Sequence, residues 1–245
     1  MTSRLPEIEF HRLFNGRLCL YQKKKGYRFS VDSVLLGAFA GQKVCGVVAD
    51  LGTGSGVLPV ILSKSGKVKQ IFGIEIQKDL VAVAEKNVLY NRCSEKAKIT
   101  CADIKNIRDC FSAETFDAVL TNPPFYRIGS GRMNPEAENA IARHELKGTV
   151  SDFVRGAAFL LKQKGSFYAV YTPARITDLI CEMRKYRIEP KALQFVYPNG
   201  KDPANMVLVE GIKGAGVETK IIPPVVLFGE NRKYTKQANS IFNTL

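Results

Sequence analysis

From about residue 45 onward, short apolar runs alternate with amphipathic stretches. The apolar runs are GVVADL (46–51), QIFGIEI (70–76), AKITCA (97–102), FDAVLTN (116–122), GSFYAVYT (165–172), ALQFVYP (192–198) and NMVLVEG (205–211). Their length and their content of Val, Ile, Phe and Tyr predict strands. The stretches at 56–64, 78–92, 150–163 and 174–185 carry a helical period instead. In 78–92, Leu80, Val81, Val83, Ala84, Val88 and Leu89 gather on one side, with Lys78, Asp79, Glu85 and Lys86 elsewhere. This regular alternation predicts an α/β fold, a seven-stranded, mostly parallel sheet with helices on both faces. About seven residues around NGKDP join the last two runs, too few for a helical crossover, so the last strand is expected to run antiparallel.

The first 45 residues follow another pattern. NGRLCLYQKKKGYRFS predicts two short strands around a Lys-rich turn closed by glycine. VDSVLLGAFAG predicts a helix with Asp32 as N-cap and Gly41 as its stop. The end, ENRKYTKQANSIFNTL, is polar and is expected to be weakly ordered. The chain thus divides into a hairpin-and-helix addition (1–45), a core (46–230) and a polar tail (231–245).

Composition narrows the function classes. The 245 residues, 45% of them hydrophobic, suffice for one core of ordinary size. No apolar run approaches the roughly 20 residues that span a bilayer. Residues 1–15 lack the pattern of a secretory leader, so a cytoplasmic protein without a membrane partner is expected, acting as a monomer. The six cysteines contain no C-x-x-C pair and are expected as small core residues. With only His11 and His144 beside them, no metal site is expected. The net charge of +13 points to a nucleic-acid partner, although a basic surface also serves solubility alone. Lys23, Lys24 and Lys25, with Arg12, Arg17 and Arg28 nearby, and the basic loop 126–149 are the candidate contacts. That loop carries Arg127, Arg132, Arg143, His144 and Lys147 beside Glu136, Glu138 and Glu145.

The segment VVADLGTGSGVLPVIL is a strand, a glycine loop and a helix. Ligands of open parallel sheets sit at the carboxyl ends of the strands. The spacing Gly52-x-Gly54-x-Gly56 departs from the dinucleotide fingerprint, whose third glycine would fall at Val57. Asp50 would repel a pyrophosphate but suits a cationic ligand. Glu75, 23 residues after Gly52, stands where a carboxylate accepts both hydroxyls of a ribose. Asp103 follows the third strand and can receive an amine hydrogen from adenine, or serve only as a helix cap. An acid near a positive centre, one facing a diol and one facing adenine describe S-adenosylmethionine better than NAD. The ordered set resembles the class I SAM-dependent methyltransferases, which implies a Rossmann-like fold.

The fourth strand ends in Asn122-Pro123-Pro124-Phe125. Two prolines fix two φ angles and remove two donors, so neither strand nor helix continues through them. An exocyclic amine on a flat ring is a poor nucleophile because its lone pair is delocalised. Two acceptors aimed at its hydrogens draw the nitrogen toward a tetrahedral shape, and the Asn122 side chain and the Pro123 carbonyl are the candidates. Phe125 or Tyr126 can stack on a flipped base. A proline-stiffened turn is the plain structural alternative. The motif resembles the N-P-P-[FY] signature of methyltransferases that act on planar amino nitrogens: adenine N6, guanine N2 or a protein glutamine amide.

The segments FSVDSVLLGAFA, DLGTGSGVLPVIL, TNPPFY, AIARHE and MRKYRIEPK closely resemble the tRNA adenine-N6 methyltransferase family, which modifies the adenine beside the anticodon of a valine tRNA. The resemblance runs through most of 10–230. It implies Asp50, Gly52, Thr53, Gly54, Gly56, Glu75, Ile76, Asp103, Ile104 and Asn122 for S-adenosylmethionine, with S-adenosylhomocysteine as product. It implies Asn122, Pro123, Pro124 and Phe125 for catalysis, with Phe125 and Tyr126 against the target, while Arg127 and Lys23–Lys25 are candidate RNA contacts on charge. An rRNA guanine or a protein glutamine remains the alternative substrate. A non-catalytic RNA-binding module and an NAD-dependent dehydrogenase are the alternatives of other classes.

Overall fold

The structure, a computed structural model, describes residues 7–14, 16–24, 31–123 and 148–243. Pro124, Phe125, Tyr126, Arg127 and the rest of the basic loop up to Lys147 lie outside the described residues, as do Lys25 and Arg28.

Strands β1 (Ile8–Leu13) and β2 (Leu18–Lys23) form an antiparallel hairpin. It lies one strand upstream of the sequence expectation. Phe14 and Gly16, with φ of 51° and 82°, supply the left-handed turn, and Lys23 ends β2 rather than belonging to the turn. Helix α1 (Val31–Gly41) follows, with Asp32 in its first turn instead of at the cap.

The main sheet contains β3 (Gly46–Leu51), β4 (Val68–Glu75), β5 (Ala97–Cys101), β6 (Phe116–Thr121), β7 (Leu161–Tyr171), β8 (Ile188–Tyr197), β9 (Met206–Lys213) and β10 (Lys220–Val226). Their order is β10-β8-β9-β7-β6-β3-β4-β5, and β9 alone runs antiparallel to its neighbours. The run expected to be antiparallel, 205–211, is β9 and is antiparallel, but the sheet has eight strands where the sequence pattern predicts seven, because one more strand follows it. The eighth, KIIPPVV, carries Pro223 and Pro224, which cannot donate to a ladder. It pairs in parallel with β8 at the sheet edge, and its register shifts across those prolines.

Helices α2 (Val57–Ser63), α3 (Lys78–Tyr90), α4 (Val150–Leu160) and α5 (Ile176–Lys185) connect the strands, with a 3₁₀ segment at Ile104–Asp109. Side chains of one strand alternate between two cores. Tyr168 and Val170 of β7 join α1 and α2 on one face. Phe167, Ala169 and Tyr171 join α4 and α5 on the other. Leu18 and Leu20 of the hairpin and Val34–Leu36 of α1 are built into the first core.

Two further expectations are corrected. The polar tail forms helix α6 (Lys236–Phe242), capped by the Thr235 side chain at 3.1 Å from Ala238 N. Ala238, Ile241 and Phe242 make an apolar stripe too short to register in the average composition, and Phe242 stacks on Phe14 at 4.3 Å. Of the six cysteines, all free, Cys93 is buried, Cys19 is half-buried, and Cys45, Cys101, Cys110 and Cys181 are exposed.

Candidate functional site

Parallel registry brings the carboxyl ends of four adjacent strands level. Leu51 of β3 pairs with Ile74 of β4 and with Thr121 of β6, and Glu75 pairs with Cys101 of β5. Asp50, Glu75, Asp103 and Asn122 consequently line one edge of the sheet. The Thr121 hydroxyl donates to Leu51 O at 2.9 Å, tying the strand that carries Asn122 to the one that enters the glycine loop.

The loop curls over the end of β4. Gly52 N and Thr53 N both donate to Ile74 O, at 2.8 and 3.0 Å. Gly54 N donates to Glu75 Oε2 at 3.0 Å. Gly52, Gly54 and Gly56 have φ of 74°, 57° and 78°, the left-handed region that glycine enters without strain. A Cβ at Gly52 would meet Phe153 at 3.0 Å, and one at Gly56 would meet Ala84 Cβ at 3.0 Å. The path is therefore closed to larger residues on both counts.

Glu75 is buried and fully engaged at its base: Oε1 accepts from Gln77 N at 3.0 Å and Gln77 Nε2 at 3.1 Å. Oε1 thus has both lone pairs engaged, while Oε2, which accepts only from Gly54 N, retains one for a ligand hydroxyl. Asp50 is 2% exposed. Burial pushes its carboxyl from 3.8 up to about 7, the Thr53 hydroxyl pulls it partway back, and the Glu75 charge raises it further. Thr53 Oγ1 lies beside Asp50 without completing a hydrogen bond of normal geometry, and Ser55 Oγ is likewise buried without a partner among the described residues. A buried carboxyl with the orphan Thr53 hydroxyl beside it fits a polar ligand, and a cation there would favour the ionised form of Asp50.

Asp103 caps the 3₁₀ segment through Oδ1, which accepts from Lys105 N at 2.9 Å; its other oxygen makes no hydrogen bond among the described residues. Ile76 is half-buried directly after β4, whereas the Ile104 side chain packs into the α4–α5 core. Asn122 is half-buried, and its Nδ2 donates to Ser33 Oγ of α1 at 3.4 Å. Pro123 is buried beside it.

The hairpin lysines lie differently from the sequence expectation. Lys23 is paired with Asp79 in the first turn of α3, and Lys24 Nζ stands 3.9 Å from Glu7. Sequence reasoning missed Ser33 and Asn87, each a polar residue on an otherwise apolar helix face. Asn87 is fully buried: Oδ1 accepts from Tyr21 N at 2.6 Å, and Nδ2 donates to Tyr21 O at 2.9 Å and to Ser55 O at 2.8 Å. One side chain binds the hairpin to the glycine loop.

Sheet order, lone antiparallel strand and loop define the Rossmann-like methyltransferase class. A predicted O-methyltransferase from Agrobacterium tumefaciens has the same fold, with a TM-score of 0.68 at 18% identity over 87% of this chain and 96% of that one. The T. thermophilus 16S rRNA N2 G1207 methyltransferase, solved with AdoMet and guanosine, gives 0.57 at 20% identity over 87% and 52%. The model of the methyltransferase small domain matches residues 31–178, and the chain belongs to that family. A Haemophilus influenzae protein named tRNA1(Val) (adenine(37)-N6)-methyltransferase is 29% identical over 213 residues, covering 84% of this chain and 83% of that protein. A Porphyromonas gingivalis protein of the same name is 28% identical over 167 residues, covering 66% of this chain; the chain spans 65% of that relative's length.

Proposed function

We propose that this protein methylates the exocyclic N6 amine of an adenine in tRNA, the one beside the anticodon of a valine tRNA, using S-adenosylmethionine. The observation that carries this reading is the levelling of Asp50, Glu75 and Asp103 with Asn122 across four neighbouring strand ends. The names of the relatives support the choice of tRNA adenine.

Glu75 Oε2 accepts from a ribose hydroxyl, the free oxygen of Asp103 receives the adenine amine, and Asp50 faces the cationic part of the cofactor. S-adenosylmethionine supplies the methyl group on a sulfonium centre. Asn122 Oδ1 and the Pro123 carbonyl accept the two hydrogens of the target amine, which concentrates the nitrogen lone pair on one side. The acceptors are set before the substrate arrives, so little reorganisation is needed at the moment of transfer. The proton of the methylated amine leaves afterwards to water, so no strong base is required. Residues 1–45 act as part of the same unit, because α1 carries Ser33 to Asn122. The protein works in the cytoplasm, as a monomer, with Pro124, Phe125, Tyr126 and Arg127 completing the target side.

The test is methylation of unmodified tRNA by the purified protein, followed by mass-spectrometric mapping. N6-methyladenosine beside the anticodon of a valine tRNA is the expected product. Methyl on guanine N2 of rRNA, on a protein glutamine, or no product with any of these would overturn the reading.

A further inference from the structure

The hairpin is fastened to the rest of the protein by its inner face and its free edge. Leu18 and Leu20 are buried in the first core. Asn87 bonds the backbone of Tyr21, and Asn91, one turn further along α3, donates from Nδ2 to Cys19 O at 2.9 Å. None of this asks anything of the outer face, yet that face is aromatic. Phe10 and Tyr21 stand opposite one another on β1 and β2, with ring centroids 5.0 Å apart. Tyr90 of α3 completes the group, 5.1 Å from Phe10 and 5.5 Å from Tyr21. It meets them at interplanar angles of 66° and 90°, so neither ring stacks on it. Phe10 is 37% exposed and Tyr90 46%, which is more water contact than rings serving the core would keep.

Two cations stand over these rings. Lys86 Nζ, one turn before Tyr90, lies 4.1 Å from the Tyr21 centroid, and Arg12 Cζ lies 5.8 Å from that of Phe10. Neither is paired with a carboxylate among the described residues. Exposed rings interleaved with cations complement the two parts of an unpaired nucleotide, a flat base and a phosphate. The chain's net charge of +13 favours the same polyanion. The place on the fold agrees. Lys23, two residues beyond Tyr21 on the same face of β2, meets Asp79 in the first turn of α3. That turn begins three residues after Glu75, so the outer face of the hairpin leads to the strand-end edge that carries Asn122.

We propose that Phe10, Tyr21 and Tyr90, with Arg12 and Lys86, form a docking platform on which unpaired bases of the RNA substrate stack, outside the methylation crevice. Tyr90 and Phe10 offer ring surface to the bases, Tyr21 supports them from below, and the two cations meet the adjoining phosphates. The platform rests on the RNA reading above. It assigns the hairpin's RNA contact to rings and Arg12 rather than to the lysine run.

Binding of unmodified tRNA to the full-length protein, titrated at several salt concentrations, tests this. Tyr90→Leu keeps apolar bulk but removes the ring, and tRNA should bind about tenfold more weakly, within the range for one stacked base. Tyr90→Phe keeps the ring and should bind as the parent does. Lys86→Gln should flatten the slope of log Kd against log salt by about 0.7, the value for one phosphate of a single strand. Affinity for S-adenosylhomocysteine should stay parental in all three. Parental tRNA affinity in Tyr90→Leu, or equal losses in the Leu and Phe variants, would overturn the platform. So would an unchanged salt slope in Lys86→Gln, or a parallel loss of S-adenosylhomocysteine affinity. If Tyr90→Leu instead abolishes self-association and leaves tRNA binding intact, the rings hold a second copy of the chain and the proposal fails. A parent protein that binds no tRNA would sink the substrate reading itself, and the platform with it.

Discussion

The Asn122 amide nitrogen donates to the Ser33 hydroxyl at 3.4 Å, joining the end of β6 to α1. The two residues are 89 positions apart, and the bond restrains the Asn122 side chain from the α1 side. Ser33 is buried on a helix otherwise filled with Val34, Leu35 and Leu36. A hydroxyl at that place restrains the amide at little packing cost.

Asn122→Ala should bind S-adenosylhomocysteine as the parent does and lose on the order of 10²–10³ in kcat, since the lost acceptor matters chiefly in the transition state. Single-turnover methylation of tRNA measures it. Parental turnover would mean that the diproline corner is structural only.

Ser33→Ala should lower kcat about tenfold without changing KM for the RNA or cofactor affinity, because the amide loses its guide while the oxygen remains. Ser33→Thr, which retains the hydroxyl, should restore most of the rate. A change confined to KM would speak against an orienting role.

Asp50 makes the ligand-free protein pH-sensitive. Its carboxyl titrates near 3.8 when unfolded and at about 7 when folded, chiefly through burial. The folded state holds its proton more tightly, so this residue's contribution is full below pH 3.8 and is lost as pH rises through about 7. Asp50→Asn should therefore gain stability relative to the parent between pH 4 and 7 and hold that gain above. Cofactor affinity should rise with pH from 6 to 8 in the parent and stay flat in the variant. Paired denaturation and binding curves across that range test both, and parallel curves would remove Asp50 from contact with a cation.

Glu75→Ala should weaken cofactor binding by about 10–100-fold, because it removes a buried, hydrogen-bonded carboxylate. Some of that loss comes through Gly54, whose N–H would be left without its acceptor. Titration with adenosine analogues lacking one ribose hydroxyl separates the two: if Glu75 holds a hydroxyl, the analogue without it loses affinity in the parent and not in the variant.

Asn87→Ala should cost about 2–4 kcal/mol of stability, the range for breaking a buried network of three hydrogen bonds. Denaturant midpoints at constant m report it. A loss under about 0.5 kcal/mol would mean that the hairpin finds other partners.

Much of the fold was legible because a parallel sheet advertises itself. Strands buried on both faces need continuous apolar runs, and all seven predicted runs contain strands of the main sheet. The eighth escaped because Pro223 and Pro224 break the propensity that an edge position tolerates. The hairpin was misplaced by one strand because a lysine run looks like a turn, while the actual turn needs only Gly16 and a left-handed Phe14. Helix α6 was hidden by its polar residues, although three apolar ones suffice to dock it.

By itself the sequence determined the strand–helix alternation, the glycine loop and the identity of the groups at each strand end, since these depend on local periodicity and local backbone freedom. Only the tertiary structure decided that Asp50, Glu75, Asp103 and Asn122 stand level, that Ser33 reaches Asn122, and that Asn87 ties Tyr21 to Ser55. Those relations join residues far apart in the chain. They exist only once burial has packed the helices on the sheet, and no spacing rule along one strand or helix encodes them.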